Sequence, residues 1–297
     1  MSEFFGKTAI ISGGAEGIGF SIAQTLGKQG MNVVIGDIDT EQLKKAETTL
    51  QSQGIEVLSI ELDVRIQEQW DKLAAAALDR FGKVHMLVNN AGVSGAPGSI
   101  EDTSSKDWQW VIDVNLMGVV YGTSTIVPLI KQHDEGGWLI NVASMAGMGG
   151  VPYAGPYTAT KVAVVGMSES WHIELKPHNI NVSVLCPAFV KTRINHGHRN
   201  KPAEYLDDEP ANVNDDTASQ KMAEHMQKVI NAGLSPEIVG ERVIEAISTG
   251  ELYIFTHPNY RQTVQVRSKG IDEAFERSAS SPLLQHVLNE DIVGFGN

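Results

Sequence analysis

The sequence predicts an α/β fold: a doubly wound parallel sheet of about seven strands flanked by helices. Three observations lead to this prediction. Short apolar runs of strand type alternate with segments of helical periodicity from residue 8 to about residue 256. The runs are apolar almost throughout, as in strands that helices cover on both faces, and a glycine-rich turn follows the first of them. Because the alternation has no break, we expect a single domain over residues 1–258 and a helical C-terminal extension over residues 259–297.

In the first half of the chain, each predicted strand ends at a glycine, an acid or an amide. The first strand stops at a glycine pair, and the helix after it closes at Gly30. Asp37 follows the second strand, Asp63 the third and Asn89 the fourth. Apolar residues at helical spacing mark the first helix: Ile18, Ile22, Ala23 and Leu26. The predicted strands are residues 8–12, 31–36, 57–62 and 84–88, and the predicted helices are residues 16–28, 40–52 and 67–81.

The second half of the chain continues the alternation of predicted strands and helices. A long helix begins after Ser104 or Ser105, whose hydroxyl can cap its first turn. The polar stretch 192–217 contains prolines and an acidic run, and long excursions of this kind commonly act as lids, so we expect a substrate lid there. The predicted helices are residues 105–129, a segment reaching about Leu175, and residues 236–248, and the predicted strands are residues 138–142, 182–185 and 252–255.

Composition and charge exclude several classes of function. The 297 residues carry a net charge of -13 without a basic cluster, which argues against nucleic acid or an anionic membrane as the main partner. The single cysteine, Cys186, rules out an intramolecular disulfide and a cysteine-rich metal site. No signal peptide is recognisable, and no apolar segment approaches about 20 residues, so we expect a cytoplasmic protein.

The turn after the first strand has the character of a dinucleotide site. Gly13, Gly17 and Gly19 permit a tight turn, close approach of the backbone to a diphosphate, and close packing of helix on strand. The spacing differs from G-x-G-x-x-G, and a glycine-rich turn alone is a weak signal. Its position between an opening strand and a helix makes it the predicted diphosphate site.

Asp37 ends the second strand, where a carboxylate can accept hydrogen bonds from the adenosine ribose and repels a 2′-phosphate. Glu16 adds negative charge in the turn, and Ile38 supplies no cation. The sequence therefore favours NAD over NADP. The alternative is that Asp37 only caps the helix that begins at Thr40.

Tyr157 and Lys161 stand four residues apart and share one face of the predicted helix. A nearby ammonium favours the phenolate, so we expect Lys161 to lower the pKa of Tyr157 toward neutrality. In isolation the two side chains could be an ordinary exposed pair. Ser144 after the fifth strand, together with the glycine turn, favours a catalytic site.

These motifs resemble the single-domain branch of the short-chain dehydrogenase/reductase family. The family turn T-G-x-x-x-G-x-G corresponds to the residues from Ser12, with serine in place of threonine, and its N-N-A-G is present at 89–92. The match covers residues 6 to about 195. The catalytic positions of the family correspond to Asn115, Ser144, Tyr157 and Lys161.

The resemblance implies a Rossmann-type domain and hydride transfer between C4 of a nicotinamide and a carbinol or carbonyl carbon. Tyr157 would exchange the proton, Lys161 would tune its pKa and hold the nicotinamide ribose, and Ser144 would orient the substrate oxygen. Asn115 would hold a water that links Lys161 to solvent. The residues expected to contact the cofactor are Gly13, Glu16, Gly17, Ile18, Gly19, Asp37, Ile38, Asp63, Val64, Asn90, Ala91, Gly92, Tyr157, Lys161, Pro187, Val190 and Thr192.

The substrate class is suggested by a second resemblance. The ending 251–258 and the triplet 154–156 resemble the subgroup that oxidises benzylic alcohols of lignin-type aryl ethers. Apolar and aromatic residues border the catalytic segments, which favours a bulky secondary alcohol or ketone, aromatic or alicyclic. The expected pocket residues are Met145, Tyr153 and Phe189.

Two alternatives remain open at this point. One is a biosynthetic ketoreductase of a polyketide-like or steroid-like ketone, and the other is a non-catalytic nucleotide-binding sensor or scaffold. His196 and His198 could suggest a metal, but no carboxylate or cysteine completes a ligand set in that segment, so no metal site is predicted. The resemblance also implies a homodimer or homotetramer, formed through the long helices that carry Asn115 and Tyr157.

Overall fold

Parallel strands form one sheet in the part of the chain that the structure describes. The structure is a computed structural model, and it describes residues 2–206 and 227–291. The strands are β1 (Thr8–Ser12), β2 (Asn32–Asp37), β3 (Val57–Glu61), β4 (Met86–Asn89), β5 (Gly137–Val142), β6 (Ile180–Cys186) and β7 (Tyr253–Phe255). They lie in the order β3-β2-β1-β4-β5-β6-β7, and every neighbouring pair is parallel.

Helices connect the strands and cover both faces of the sheet, which confirms the predicted fold class. Their bounds and those of the strands agree with the predicted ones to within two residues, apart from the interruption described below. The helices are α1 (Gly17–Lys28), α2 (Thr40–Ser52), α3 (Gln67–Phe81), α4 (Ser105–Ile112), α5 (Gly118–Lys131), α6 (Gly155–Leu175), α7 (Pro236–Thr249) and α8 (Arg261–Ala279).

Alternate residues of the strands pack on opposite faces of the sheet. Ile11 of β1 belongs to the cluster formed with α1, α2 and α7, whereas Ile10 belongs to the cluster formed with α3, α4 and α5. Trp70 is fully buried in the second cluster and donates a 3.1 Å hydrogen bond to the Val64 carbonyl. Burying a large apolar side chain contributes roughly 1.5–3 kcal/mol to the free energy of unfolding. These clusters therefore hold the helices on the two faces of the sheet.

The predicted long helix is interrupted where it carries Asn115. A π-helical stretch, Asp113–Met117, joins α4 to α5. A π turn contains an extra residue and is found mostly at functional sites. The sequence pattern misses it because one additional residue barely disturbs the spacing of the apolar side chains.

The helical run Ser105–Lys131 is long and apolar enough to cross a membrane by length and composition alone, contrary to the expectation that no segment is. Half of its most apolar window is buried inside the fold. Ile126 and Ile130 lie in the cluster with α3 and are fully buried. This burial is typical of a core helix.

The chain divides into two units, Met1–Thr256 and His257–Asn297. The second unit contains α8, on which no residue is buried, and Val266 and Phe275 are 67% and 72% exposed. The predicted extension, residues 259–297, falls in this unit, of which residues 292–297 lie outside the described part. The predicted lid is described as far as residue 206; its remainder, residues 207–217, also lies outside.

Candidate active site

The carboxyl edge of the sheet brings the predicted site residues together. The strand order reverses between β1 and β4, and in such sheets ligands bind in the crevice at that edge. Gly13 follows β1, Asp37 ends β2, Asn90 follows β4, Ser144 follows β5, and Pro187 follows β6. Side chains far apart in the sequence therefore face one crevice.

The glycine turn has the backbone conformation that lets it pack closely against the neighbouring segments. Gly13 and Gly17 have φ values of +62° and +58°, which side-chain-bearing residues rarely adopt. A Cβ on Gly13 would lie 2.8 Å from Asn90 Nδ2, one on Gly17 would lie 3.1 Å from Thr192 Cγ2, and one on Gly19 would overlap the Gly13 carbonyl. Asn90 Nδ2 donates a 2.9 Å hydrogen bond to that carbonyl. The turn is thus tied to the segment after β4 and touches the start of the predicted lid.

Residues 90–92 run from the turn to the predicted catalytic lysine. The Ala91 amide donates a 3.2 Å hydrogen bond to Ser12 Oγ. A Cβ on Gly92 would lie 3.2 Å from Asn115 Oδ1 and 3.6 Å from Lys161 Nζ. The small residues of the N-N-A-G motif therefore let the backbone pass between the glycine turn and the predicted catalytic residues.

Asp37 organises the backbone around the crevice. Its carboxylate accepts hydrogen bonds from the amides of Ala15, at 3.1 Å, and of Asp39, at 3.0 Å. Burial raises the pKa of Asp37, and these two hydrogen bonds oppose the rise. Asp39, not Asp37, caps α2, because its Oδ1 accepts from the Gln42 amide at 3.1 Å. The alternative that Asp37 only caps this helix is therefore wrong.

Asp63 and Val64 lie at the carboxyl end of β3. The Asp63 carboxylate accepts from Arg65 Nη2 at 2.5 Å and from Arg65 Nε at 2.9 Å. The Val64 carbonyl accepts a hydrogen bond from the Trp70 indole. The charged side chain of this expected cofactor contact is therefore already paired with a neighbouring guanidinium.

Lys161 and Tyr157 lie close together, but the electrostatics differ from the sequence expectation. Lys161 is only 4% exposed, donates a 2.8 Å hydrogen bond to the Val142 carbonyl, and burial lowers its pKa to about 8. Burial raises the pKa of Tyr157, and a hydrogen bond with Ser144 opposes that rise. Contrary to the sequence expectation, the pKa of Tyr157 is raised rather than lowered, because desolvation of the phenolate outweighs the hydrogen bond with Ser144.

Ser144 is held in place by the loop that it begins. Its Oγ accepts a 3.1 Å hydrogen bond from the Ala146 amide and lies 3.5 Å from the Pro187 carbonyl. The Met145 amide donates to the same carbonyl at 2.9 Å. Since β5 and β6 are neighbours in the sheet, these contacts tie the serine to the strand end that carries Pro187.

Asn115 is fully buried, and its side chain clamps one residue of the backbone. Oδ1 accepts from the Val93 amide and Nδ2 donates to the Val93 carbonyl, both at 2.8 Å. Nδ2 also lies 3.4 Å from Thr160 Oγ1. The amide group therefore links the segment after β4 to α6, one residue before Lys161. Sequence reasoning missed this clamp, since nothing in the motif indicates Val93.

A cleft of about 280 Å³ lies beside the start of α6. Tyr153 lines it, is 64% exposed, and has a φ of +61°, which is strained for a tyrosine. Of the other two predicted pocket residues, Met145 packs on the cluster around β6, and Phe189 is half-buried, its carbonyl accepting from the Leu234 amide. The cleft is otherwise lined by Gly98, Ser99, Ile100, Glu101, Thr103, Trp108, Val151, Gly155 and Pro156.

Comparison with known proteins decides the family. A family model described as short chain dehydrogenase matches residues 7–203. The chain belongs to the short-chain dehydrogenase family. The family resemblance of the sequence is thereby confirmed, and so is the class of the protein, an oxidoreductase of this family.

Several relatives of this short-chain dehydrogenase match over nearly their whole length. A CLA biosynthesis dehydrogenase/reductase of Lactiplantibacillus plantarum is 34% identical over 273 residues, 91% of this chain and 95% of the relative. A C alpha-dehydrogenase of Sphingobium sp. is 31% identical over 282 residues, 95% of this chain and 90% of the relative. A short-chain dehydrogenase/reductase from Burkholderia phymatum, solved in complex with NAD, has a TM-score of 0.87 at 36% identity and covers 92% of this chain and 97% of that one.

In this short-chain dehydrogenase, ionic contacts hold residues 192–206, which we call the strap, along the crevice. Arg193 and Arg199 both pair with Glu16 in the glycine turn, Arg193 at 2.5 Å. Arg65 Nη1 contacts Glu204 at 2.9 Å. The strap also makes a 3.0 Å pair between Lys201 and Asp107 and a 2.8 Å hydrogen bond between Tyr205 and Asp113. Sequence reasoning did not find these contacts, since they join residues about a hundred or more positions apart.

The remaining predicted contacts lie where the strap begins. Val190 is buried and forms an isolated parallel bridge with Leu234. Thr192 faces Gly17 of the turn. Ile18 is half-buried against the cluster of α1, and Ile38 is 37% exposed beside Asp37.

A histidine cluster occupies the opposite, amino edge of the sheet. His85 Nδ1 accepts from the Thr8 amide at 3.1 Å, and Nε2 faces a Glu135 carboxylate oxygen at 3.2 Å. His133 Nε2 donates to the Val84 carbonyl at 2.8 Å, and Nδ1 accepts from the Glu135 amide at 3.2 Å. Both imidazoles use both nitrogens, so the cluster is a satisfied hydrogen-bond network rather than a ligand set.

Proposed function

We propose that this chain is an NAD-dependent oxidoreductase that transfers a hydride between the nicotinamide and a bulky secondary alcohol or ketone. The observation that carries the proposal is the convergence of Ser144, Tyr157 and Lys161 at the carboxyl edge of the sheet, beside the glycine turn. A phenol, a hydroxyl and a lysine in this arrangement are suited to move a proton to or from a substrate oxygen.

The residues around the glycine turn fit a dinucleotide. A Cβ on Gly13, Gly17 or Gly19 would meet neighbouring atoms of the protein itself, so the compact turn before α1 requires glycine at these positions. Glu16, at the N-cap of α1, makes no capping hydrogen bond with the first turn, so the amides there can bind a diphosphate. Asp37 lies where it would hold the adenosine ribose and repel a 2′-phosphate. The NAD complex of the Burkholderia phymatum relative supports the same cofactor, and we propose NAD rather than NADP.

Each catalytic residue has a defined task in the proposed reaction. The bound nicotinamide supplies or accepts the hydride at its C4 atom. Tyr157 Oη takes the hydroxyl proton during oxidation and returns it during reduction, while Ser144 Oγ holds the same substrate oxygen. Lys161 holds the nicotinamide ribose and, when charged, favours the phenolate. Asn115 keeps the segment after β4 against α6, and we propose that it supports a water path from Lys161 to solvent.

The substrate class rests on the cleft beside α6. Its lining is mostly apolar and aromatic, with Trp108, Ile100, Val151 and Tyr153 among its residues. Such a surface suits a ring or a long apolar chain better than a sugar phosphate. The matches to a C alpha-dehydrogenase and to a CLA biosynthesis dehydrogenase/reductase favour a bulky carbinol of this kind. Trp108 is added here as a proposed pocket residue.

The test is a substrate screen with purified enzyme. Aryl, alicyclic and long-chain secondary alcohols are offered with NAD and with NADP, the matching ketones with NADH, and the absorbance of the reduced nicotinamide is followed. We expect turnover of a bulky alcohol, with NAD preferred. A much higher rate of ketone reduction than of alcohol oxidation would support the ketoreductase alternative. The match to a CLA biosynthesis dehydrogenase/reductase also favours this alternative. NADH binding without any turnover would support the non-catalytic alternative.

We propose further that the enzyme acts in the cytoplasm on a small molecule, as a homodimer or homotetramer. Its net charge of -13 does not favour nucleic acid or an anionic membrane surface. Light scattering of the full chain and of a chain ending at residue 258 tests the assembly and the part that the extension plays in it. A monomeric full chain would contradict the proposed assembly.

A further inference from the structure

A carboxylate in the middle of the proposed diphosphate site needs an explanation. Glu16 occupies the N-cap of α1, where the helix dipole and the free amides favour an anion. Its own charge opposes a diphosphate at this position. The Glu16 side chain makes no capping hydrogen bond with the helix. A serine or an asparagine at this position would cap the helix better.

The Glu16 carboxylate forms ion pairs with two guanidinium groups of the strap and does not bind the first turn of the helix. Arg193 Nη2 lies 2.5 Å from Oε2, and Arg199 Nη2 pairs with Oε1. The same two side chains lie 3.9 Å from Asp39 Oδ2. Glu16 is 31% exposed, Arg193 44% and Arg199 28%, so the pairs are partly shielded from solvent.

The charge around the turn depends on the strap. Without the strap, Glu16, Asp37 and Asp39 would leave three carboxylates at this end of the crevice. With Arg193 and Arg199 in place, two of these charges are offset. A doubly charged diphosphate would otherwise face strong repulsion at partly buried positions, where screening by salt is incomplete.

We propose that Arg193 and Arg199 are determinants of cofactor affinity: by offsetting Glu16, they make the carboxylate-bearing turn able to accept the cofactor diphosphate. This inference rests on the proposed function, because it concerns the same dinucleotide site. The arginines act through Glu16 and are positioning residues. The strap that carries them begins at Thr192, which faces Gly17 of the turn, and the Lys201–Asp107 pair fastens its further part.

The experiment is a mutant cycle read out by NADH binding. Dissociation constants are measured by NADH fluorescence for the wild type, R193Q/R199Q, E16Q and E16Q/R193Q/R199Q, at low and at moderate salt. We expect R193Q/R199Q to bind NADH about tenfold more weakly, which corresponds to about 1.4 kcal/mol, because the Glu16 charge then opposes the diphosphate without an offset. E16Q should bind NADH more tightly than the wild type, because it removes the carboxylate that opposes the diphosphate and leaves both arginines in place, and the triple variant should recover most of the loss of the double variant. The defect of R193Q/R199Q should be larger at low salt.

A matched control excludes a general loss of stability. Arg242 of α7 is 26% exposed and pairs with Glu251 at 2.6 Å, away from the turn, so R242Q removes a comparable pair without touching the crevice. R242Q should bind NADH as the wild type does. Wild-type affinity in R193Q/R199Q would overturn the inference, and so would a triple variant as weak as the double one, since the arginines would then act independently of Glu16. A wild-type chain that binds no NADH would overturn the proposed function and this inference with it.

Discussion

Lys161 Nζ lies 5.6 Å from the centroid of the Tyr157 ring and donates its hydrogen bond to the Val142 carbonyl, not to the phenol. The lysine is therefore a neighbour of the phenol rather than its hydrogen-bond partner. Burial makes Lys161 easier to deprotonate and Tyr157 harder to deprotonate than in water. Both shifts follow from one cause, the dry environment at the start of α6.

Replacing Tyr157 by phenylalanine should abolish turnover without abolishing cofactor binding. The ring remains and the packing is kept, but no group can then take the substrate proton. Since general acid–base catalysis contributes about 100-fold to 10,000-fold, kcat should fall by at least about 100-fold. NADH fluorescence should give an unchanged dissociation constant. Y253F serves as the control, because the Tyr253 hydroxyl contacts Glu169 at 2.5 Å outside the crevice. A Y157F variant that keeps most of its rate would refute the catalytic assignment.

Replacing Ser144 by alanine should shift the pH dependence of alcohol oxidation. Oxidation needs the phenolate, so activity is lost as the pH falls through the pKa of Tyr157. The hydrogen bond with Ser144 lowers that pKa, so its removal should move the acidic limb of kcat/KM to higher pH. Ser144→Thr keeps the hydroxyl and should restore the wild-type profile. An unshifted limb in S144A would contradict the role of this hydrogen bond.

Replacing Lys161 by methionine should stabilise the fold while removing activity. Its pKa is about 8 in the folded chain and about 10.4 in the unfolded one, so below pH 8 the folded protein holds a charge that burial disfavours. Wild-type stability should rise with pH between these two values. At pH 7, K161M should be more stable by about 2 kcal/mol, after allowing about 1 kcal/mol for the lost bond to Val142. Urea unfolding at pH 7 and pH 10 measures this, and a K161M chain less stable at pH 7 would contradict it.

The sequence predicts this site unevenly, for physical reasons. The alternation of strands and helices, the glycine turn and the positions of Ser144 and Tyr157 are local patterns, so they are readable from spacing alone. The pKa of Tyr157 depends on burial, which only the packed fold determines, and considering the neighbouring Lys161 alone gives the wrong direction. The identity of the residue that caps α2 likewise needed the geometry, since Asp37 and Asp39 both precede Thr40.

Contacts between residues far apart in the sequence cannot be predicted from the spacing of residues along the chain. Arg193 and Arg199 meet Glu16 across more than 170 residues, and no pattern in the chain pairs them. The Asn115 clamp on Val93 is similar, because the π turn that aims the side chain leaves the apolar periodicity nearly unchanged. The sequence therefore predicts which residues line the crevice better than it predicts which of them hold one another.

His85 should make the fold sensitive to acid. It is buried, and burial lowers its pKa below that of an exposed histidine. Below about pH 6.5 the unfolded chain binds a proton that the folded chain resists, so stability falls with the pH by up to about 1.4 kcal/mol per unit until the folded-state pKa is reached. His85→Asn can still accept from the Thr8 amide but does not titrate. Its unfolding free energy, measured by urea titration from pH 7 to pH 5, should fall less steeply than that of the wild type; parallel curves would show that other groups are responsible.

The double change Asp37→Ser and Ile38→Arg should move the cofactor preference toward NADP. The serine removes the charge that repels a 2′-phosphate, and the arginine beside it adds a cation at an exposed position. Because hydrogen bonds to charged groups contribute about 1.5–3 kcal/mol, the ratio of kcat/KM for NAD over that for NADP should fall by about 10-fold to 100-fold. Asp37 also holds the amides of Ala15 and Asp39, so part of any loss with NAD could come from a loosened turn. D37N removes the charge and keeps one acceptor oxygen, which can hold only one of these two amides: it should weaken NAD without creating affinity for NADP. An unchanged preference in the double variant would remove Asp37 from cofactor selection.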